Sequence, residues 1–106
     1  MKRIEKALAP LASLKVQHRY IIEGAKDEYL VPKEILNSAF SAISGQQLTP
    51  ELANVHRALQ ACDPPPDLTA SQLLYEYGPW LHLREAAYSY LKASGFDLEA
   101  WEASEL

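Results

Sequence analysis

The stretch Leu68–Leu106 constrains the fold of this chain most, because it carries its own start and stop signals. It reads LTASQLLYEYGPWLHLREAAYSYLKASGFDLEAWEASEL and holds both tryptophans and four of the six tyrosines. Thr69 and Gln72 have the spacing of a capping box, in which each side chain accepts from the other residue's backbone N–H, and Leu68 and Leu73 stand at the positions of a hydrophobic staple. Gly78-Pro79 breaks the chain after Tyr77. Proline suits the first turn of the next helix, where its missing N–H has no partner to lose. That helix is expected from about Pro79 to Ser94, with Gly95 as a left-handed stop and Phe96 folded back onto Leu91. Asp97 is a good N-cap for a last helix, with Phe96 and Trp101 as its staple. Each device is worth about 0.5–2 kcal/mol. Their agreement along one segment is what specifies three short helices there.

A chain of 106 residues suits one domain with one core, and a 48% apolar content argues against disorder. No apolar run reaches the roughly 18–20 residues of a membrane span. The N-terminal MKRIEKALAPLASL is basic and then apolar, as a signal peptide would be. Glu5 and Lys6 interrupt its apolar part and no clean small-residue cleavage site follows, so it reads as a structured first helix. The single Cys62 has no internal disulfide partner, which fits a reducing, cytoplasmic setting. The formal charge of -4 argues against general nucleic-acid affinity. It is unevenly spread: Lys2, Arg3, Lys6, Lys15, Arg19, Lys26 and Lys33 outnumber the acids of the first third, and Glu76, Glu85, Asp97, Glu99, Glu102 and Glu105 dominate the last.

In the first helix Ile4, Ala7, Leu8 and Leu11 share a face. Pro10 lies inside the pattern and removes a hydrogen bond, so the helix is expected to end or kink near Ala9. The period then changes. Leu14, Val16, His18, Tyr20 and Ile22 alternate with Lys15, Gln17, Arg19, Ile21 and Glu23, the pattern of a half-buried strand. Gly24 to Asp27 has turn composition, and Glu28 to Val31 returns as a shorter strand, giving a β-hairpin at about 14–31 that must lie on helices to be stable.

Pro32 opens another helix, in which Ile35, Leu36, Ala39, Phe40 and Ile43 form an apolar stripe and Gly45 is the stop. Thr49 caps a helix with Pro50 in its first turn and Leu52, Val55, Leu59 and Cys62 on its buried face. Residues 63–67, Asp-Pro-Pro-Pro-Asp, are a stiff spacer. It connects parts of one domain, since each half is too small for its own core. The expected fold class is helix-dominated α+β: five or six short helices around one core, an N-terminal helix and hairpin over 1–32, and a helical part over 33–106.

Chemistry-bearing motifs are sparse. His18, His56 and His82 have no second His or Cys at zinc-site spacings, so no metal is expected. His56 and Cys62 share a helix but lie nearly two turns apart, and read as a margin histidine and a buried thiol. His18 reads as a satisfied, partly buried residue, and His82 as solvated. No phosphate loop or nucleophile elbow is present, so neither a cofactor nor catalysis is expected. A small enzyme using His18 or His56 is the weaker alternative.

The corner between the helices at 70–77 and 79–94 raises a DNA-binding, helix-turn-helix alternative. Its second helix offers only Arg84 and Lys92 among acids, where base recognition needs more donors. On that helix Trp80, Leu83, Ala87, Tyr90 and Leu91 point to the core. Leu81 and Tyr88 fall on another strip beside Arg84, Glu85 and Lys92, and Tyr75 points away from its own helix's core face. Exposed Tyr and Leu next to Arg have the makings of a protein-binding surface, so the candidate partner-binding residues are Tyr75, Leu81, Arg84, Tyr88 and Lys92. The competing reading has the hairpin or first helix cover this strip. The functional expectation is a non-catalytic protein-interaction module: a small acidic adaptor, inhibitor, immunity protein or chaperone of bacterial or phage type. Its partner is another protein, with homodimerisation through the strip as a rival and no role for a membrane.

Overall fold

The first helix, α1 (Arg3–Ala12), runs straight through Pro10 and stops one turn later than the proline suggests. The computed structural model describes residues 2–24 and 31–106, and every regular element in them is helical. At Ser13 the backbone turns extended (φ -107°, ψ 105°), and the helix restarts at once because the Ser13 hydroxyl accepts from the Val16 N–H at 3.1 Å. That bond is an N-cap. The new helix, α2 (Leu14–Gln17), runs without a break into a π-helix, His18–Ile22. The Glu23 N–H donates to the His18 carbonyl at 3.1 Å, the i→i+5 bond that defines such a turn.

The strand expected over Leu14–Glu23 is therefore a helix, and among the described residues the fold is all-α rather than α+β. The alternation of apolar residues was present in the letters, but the protein buries a different set. Val16, Gln17, Tyr20 and Ile21 go inside, a spacing that belongs to one helical face. Gln17 misleads the sequence pattern: a polar residue counts as outward-facing, yet its side chain is 0% exposed. Of the turn at 24–27 and the return strand at 28–31, Gly24 and Val31 lie within the described residues and the rest outside them; Val31 is the N-cap of α3 (Pro32–Ile43).

The remaining helices follow their local signals closely. They are α4 (Pro50–Ala61), α5 (Ala70–Tyr75), α6 (Gly78–Ala93) and α7 (Leu98–Glu105). Thr49 accepts from the Leu52 N–H at 3.3 Å. Thr69 and Gln72 close the capping box with two bonds of 3.1 Å. Gly95 sits at φ 82°, a left-handed conformation that favours glycine, and the Phe96 N–H reaches back to the Leu91 carbonyl at 2.9 Å. Asp97 accepts from the Ala100 N–H at 3.1 Å.

Helix α6 is the axis of the molecule and packs against both α1 and α4. Trp80, Leu83, Ala87 and Leu91 along it are each at most 1% exposed. They meet Ile4, Leu8 and Leu11 of α1 and Leu52, Val55 and Leu59 of α4 in one buried cluster, to which α3 adds Ile35, Leu36, Ala39 and Ile43. Each fully buried Leu or Ile there stabilises the fold by about 1.5–3 kcal/mol relative to an exposed one. Helix α7 is attached differently. It buries no residue completely, and leans on the body through half-buried Leu98 and Trp101. Two hydrogen bonds fasten it to the α2 region: Ser13 Oγ to Glu102 Oε2 at 2.5 Å, and Tyr20 Oη to the Glu105 carbonyl at 2.6 Å. No helix of the described residues is long and apolar enough to cross a membrane.

Candidate functional site on the π-helix

The site is built outward from Gln17. A helix end leaves its last carbonyls without partners, and α1 ends inside the protein. The Gln17 amide group supplies what is missing: its Nε2 donates to the Pro10 carbonyl at 2.8 Å and the Leu11 carbonyl at 2.7 Å. Its Oε1 accepts from Trp80 Nε1 at 3.1 Å and Arg84 Nη2 at 3.0 Å. Two donors and two acceptor sites are all that a primary amide has, so Gln17 is fully satisfied. These bonds cap carbonyls at the C-terminal end of α1, which continues past Pro10 to Ala12. The amide also locks α2 against α1 and α6, and so fixes where the next residue, His18, points.

His18 stands in a shallow groove with Leu14, Lys15, Arg19, Glu23, Tyr75 and Leu106. Its Nδ1 lies 2.8 Å from the Tyr75 hydroxyl and its Nε2 lies 3.1 Å from Glu23 Oε1. A carboxylate only accepts, so in the neutral imidazole Nε2 carries the proton toward Glu23, and Nδ1 accepts from Tyr75. The two rings meet edge to face, 6.1 Å apart at 73°. The imidazole is thus oriented at both nitrogens while 42% of its side chain stays exposed. Tyr75 is also open, at 45%. Among the described side chains that line the groove, Lys15 and Arg19 carry positive charge and Glu23 carries the carboxylate. Arg19 Nε is buried and has no hydrogen-bond partner among the described residues. A π-helix inside a helical run is a frequent companion of functional sites; here the wider turn is the segment that carries both His18 and Arg19.

The strip of candidate partner-binding residues is divided by the structure. Arg84 is half-buried and serves the interior: besides Gln17, its Nη2 donates to the Leu74 carbonyl at 2.7 Å. Burial pulls its guanidinium below the ordinary value, an effect the neighbouring Tyr75 phenol opposes. Its Nε has no hydrogen-bond partner among the described residues. Leu81 is half-buried. Tyr88, 47% exposed, belongs with Lys92 to a separate groove between α6 and α7, bounded by Phe96, Leu98, Glu99 and Glu102. Only Tyr75 of the five sits in the His18 groove.

The other histidines and the cysteine are apart from the site. His56 is half-buried, edge-on to Phe40 at 6.1 Å and 85°. His82 is exposed. Cys62 is 1% exposed, and burial pushes its thiol up to about 11, which keeps it protonated and unreactive at neutral pH. No cluster of three His, Cys, Asp or Glu side chains able to hold a metal occurs among the described residues.

Sequence reasoning considers His18 and Tyr75 separately and does not join them, because they are 57 positions apart and no local signal links the two. It missed Gln17 and Glu23 altogether. Ser13, three residues before a buried Val, was the legible clue that a helix and not a strand begins at Leu14. Comparison with protein-family models, with curated proteins and with solved structures finds no match.

Proposed function

We propose that this domain is a non-catalytic protein-interaction module, and that its docking point is the Tyr75–His18 groove, which takes an acidic segment of a partner protein. One observation carries the reading. In a chain of net charge -4, an exposed tyrosine is hydrogen-bonded to a histidine and shares its groove with Lys15 and Arg19, with Glu23 as the acidic side chain among the described lining residues. Tyrosine offers a large contact area with few rotors to freeze, and flanking cations steer and orient an acidic partner. The Arg84 charge, held on the carbonyl of the residue before Tyr75 and matched by no carboxylate within hydrogen-bond distance among the described residues, adds to the same field.

The partner class is tested by selecting peptides from a random display library on the intact protein. The expected winners combine Asp or Glu with an apolar residue. They lose at least tenfold in affinity on Tyr75→Ala or Lys15→Glu, and keep it on Tyr88→Ala. Winners without acidic bias, or winners indifferent to Tyr75→Ala, overturn the reading. Sedimentation of the free protein tests the rival occupant, a second copy contributing its own acidic last third.

A second reading rests on the Tyr75–His18–Glu23 chain of hydrogen bonds, an arrangement that moves protons in acid–base catalysis. It has less support, because no Ser, Thr or Cys among the described residues lines the groove for His18 to activate. The DNA-binding alternative is weakened by the role of α6: the would-be recognition helix buries Trp80, Leu83, Ala87 and Leu91 and turns Arg84 inward.

A further inference from the structure

An open cleft of about 470 Å³ lies between α1 and α3. Its floor is Ala7 and Ala42, two small residues that let the helices approach. Its rim is Arg3 and Lys6 from α1, and Asn37, Ser38 and Ser41 from α3. These positions are one helical turn apart on each helix, so the side chains converge from both walls. Every one of the five can donate a hydrogen bond, and two carry positive charge. Arg3 is already oriented, its Nη2 donating to Ser41 Oγ at 2.7 Å, which leaves the other guanidinium N–H groups for a ligand. Neither Arg3 nor Lys6 forms an ion pair with any described residue. No carboxylate of the described residues lines the cleft; Glu34 lines an adjoining depression that shares Lys6, Ala7 and Ser38 with it.

We infer that this cleft binds the phosphate group of a small phosphorylated molecule. A phosphate monoester carries close to two negative charges and presents three terminal oxygens that only accept strongly. A guanidinium fork, an ammonium and two hydroxyls are the complementary set, and charge-assisted bonds to them are about twice as strong as neutral ones. A carboxylate would leave part of this donor set unused. The volume matches that of small-molecule pockets, at roughly 300–1,000 Å³. The site is independent of the Tyr75 groove and shares no residue with it.

The test is an amide NMR titration at constant ionic strength with inorganic phosphate, glycerol 3-phosphate and, as the neutral control, glycerol. The expected result is saturable shifts confined to α1 and α3 around Arg3, Lys6, Ser38 and Ser41, with both phosphates and not with glycerol. The doubly substituted Arg3→Gln, Lys6→Gln protein binds at least tenfold more weakly, and Arg57→Gln, on the exposed face of α4 and in neither site, binds as the unsubstituted chain does. Both altered residues are exposed, so the variant is expected to fold, and its unperturbed spectrum elsewhere checks that it has. Shifts spread over all surface lysines and arginines, or unchanged affinity in the double variant, overturn the inference. A phosphoserine peptide binding more tightly than glycerol 3-phosphate, with shifts running beyond the cleft, overturns the assignment to a small molecule.

Discussion

Replacing Gln17 by methionine keeps the length and volume of the side chain and removes its hydrogen bonds, so any loss of stability is a loss of polar satisfaction rather than of packing. The amide makes four bonds. The two to the Pro10 carbonyl and Arg84 are partly accessible, and water can replace the lost partner there. The two to the Leu11 carbonyl and Trp80 Nε1 are buried. Those groups become orphans, each costing about 1–3 kcal/mol. Their sum, about 2–6 kcal/mol, is a large share of the roughly 5–15 kcal/mol that holds a domain of this kind together. Urea unfolding followed by tryptophan fluorescence reads it directly. With a slope of about 1–3 kcal/mol per molar, the midpoint should fall by at least ~0.7 M. A methionine variant within about 0.5 kcal/mol of the unsubstituted protein, with the same slope, would show that the Gln17 network does not organise the N-terminal half.

Other perturbations probe the joints around it. Ser13→Ala removes the N-cap of α2 and the bond to Glu102 together, and should cost about 1–2 kcal/mol by the same unfolding assay. Hydrogen exchange in α7 should rise in that variant before it rises in α6, since α7 buries no residue of its own. Gly95→Ala meets no atom within 4 Å, so its cost is only that of the left-handed backbone, about 1–2 kcal/mol at most. A thiol whose ionisation is pushed up on folding favours the folded state at neutral pH, and that contribution is lost as the pH rises from its ordinary value of 9.0 through about 11. Cys62 should therefore resist a thiol reagent at pH 8 until urea opens the core.

What the sequence made legible depends on how local the cause was. The caps at Thr49, Thr69 and Asp97 and the stop at Gly95 are written within three or four residues, and the structure realises each of them. The core faces of α3, α4 and α6 follow the helical period and are buried nearly as read, with Phe40 and Tyr90 left half-buried at the margin. The N-terminal half misleads for one reason. Judged alone, Pro10 signals an end or a kink near Ala9 and Gln17 a solvent-facing residue. Together they form a joint: the amide caps the helix that the proline does not end. Of the candidate strip, Tyr75 and Tyr88 were rightly placed at the surface, whereas Arg84 was claimed by Gln17 and the Leu74 carbonyl, partners that helical spacing does not reveal.

The segment Leu14–Ile22 and the position it gives His18 underlie both the fold and the proposed docking groove. Nuclear magnetic resonance of labelled protein tests both in a single sample. Helical carbon shifts through residues 14–22, together with direct contacts between the His18 and Tyr75 rings, are the predicted result. Extended-chain shifts there, with no contact between the two rings, would contradict it.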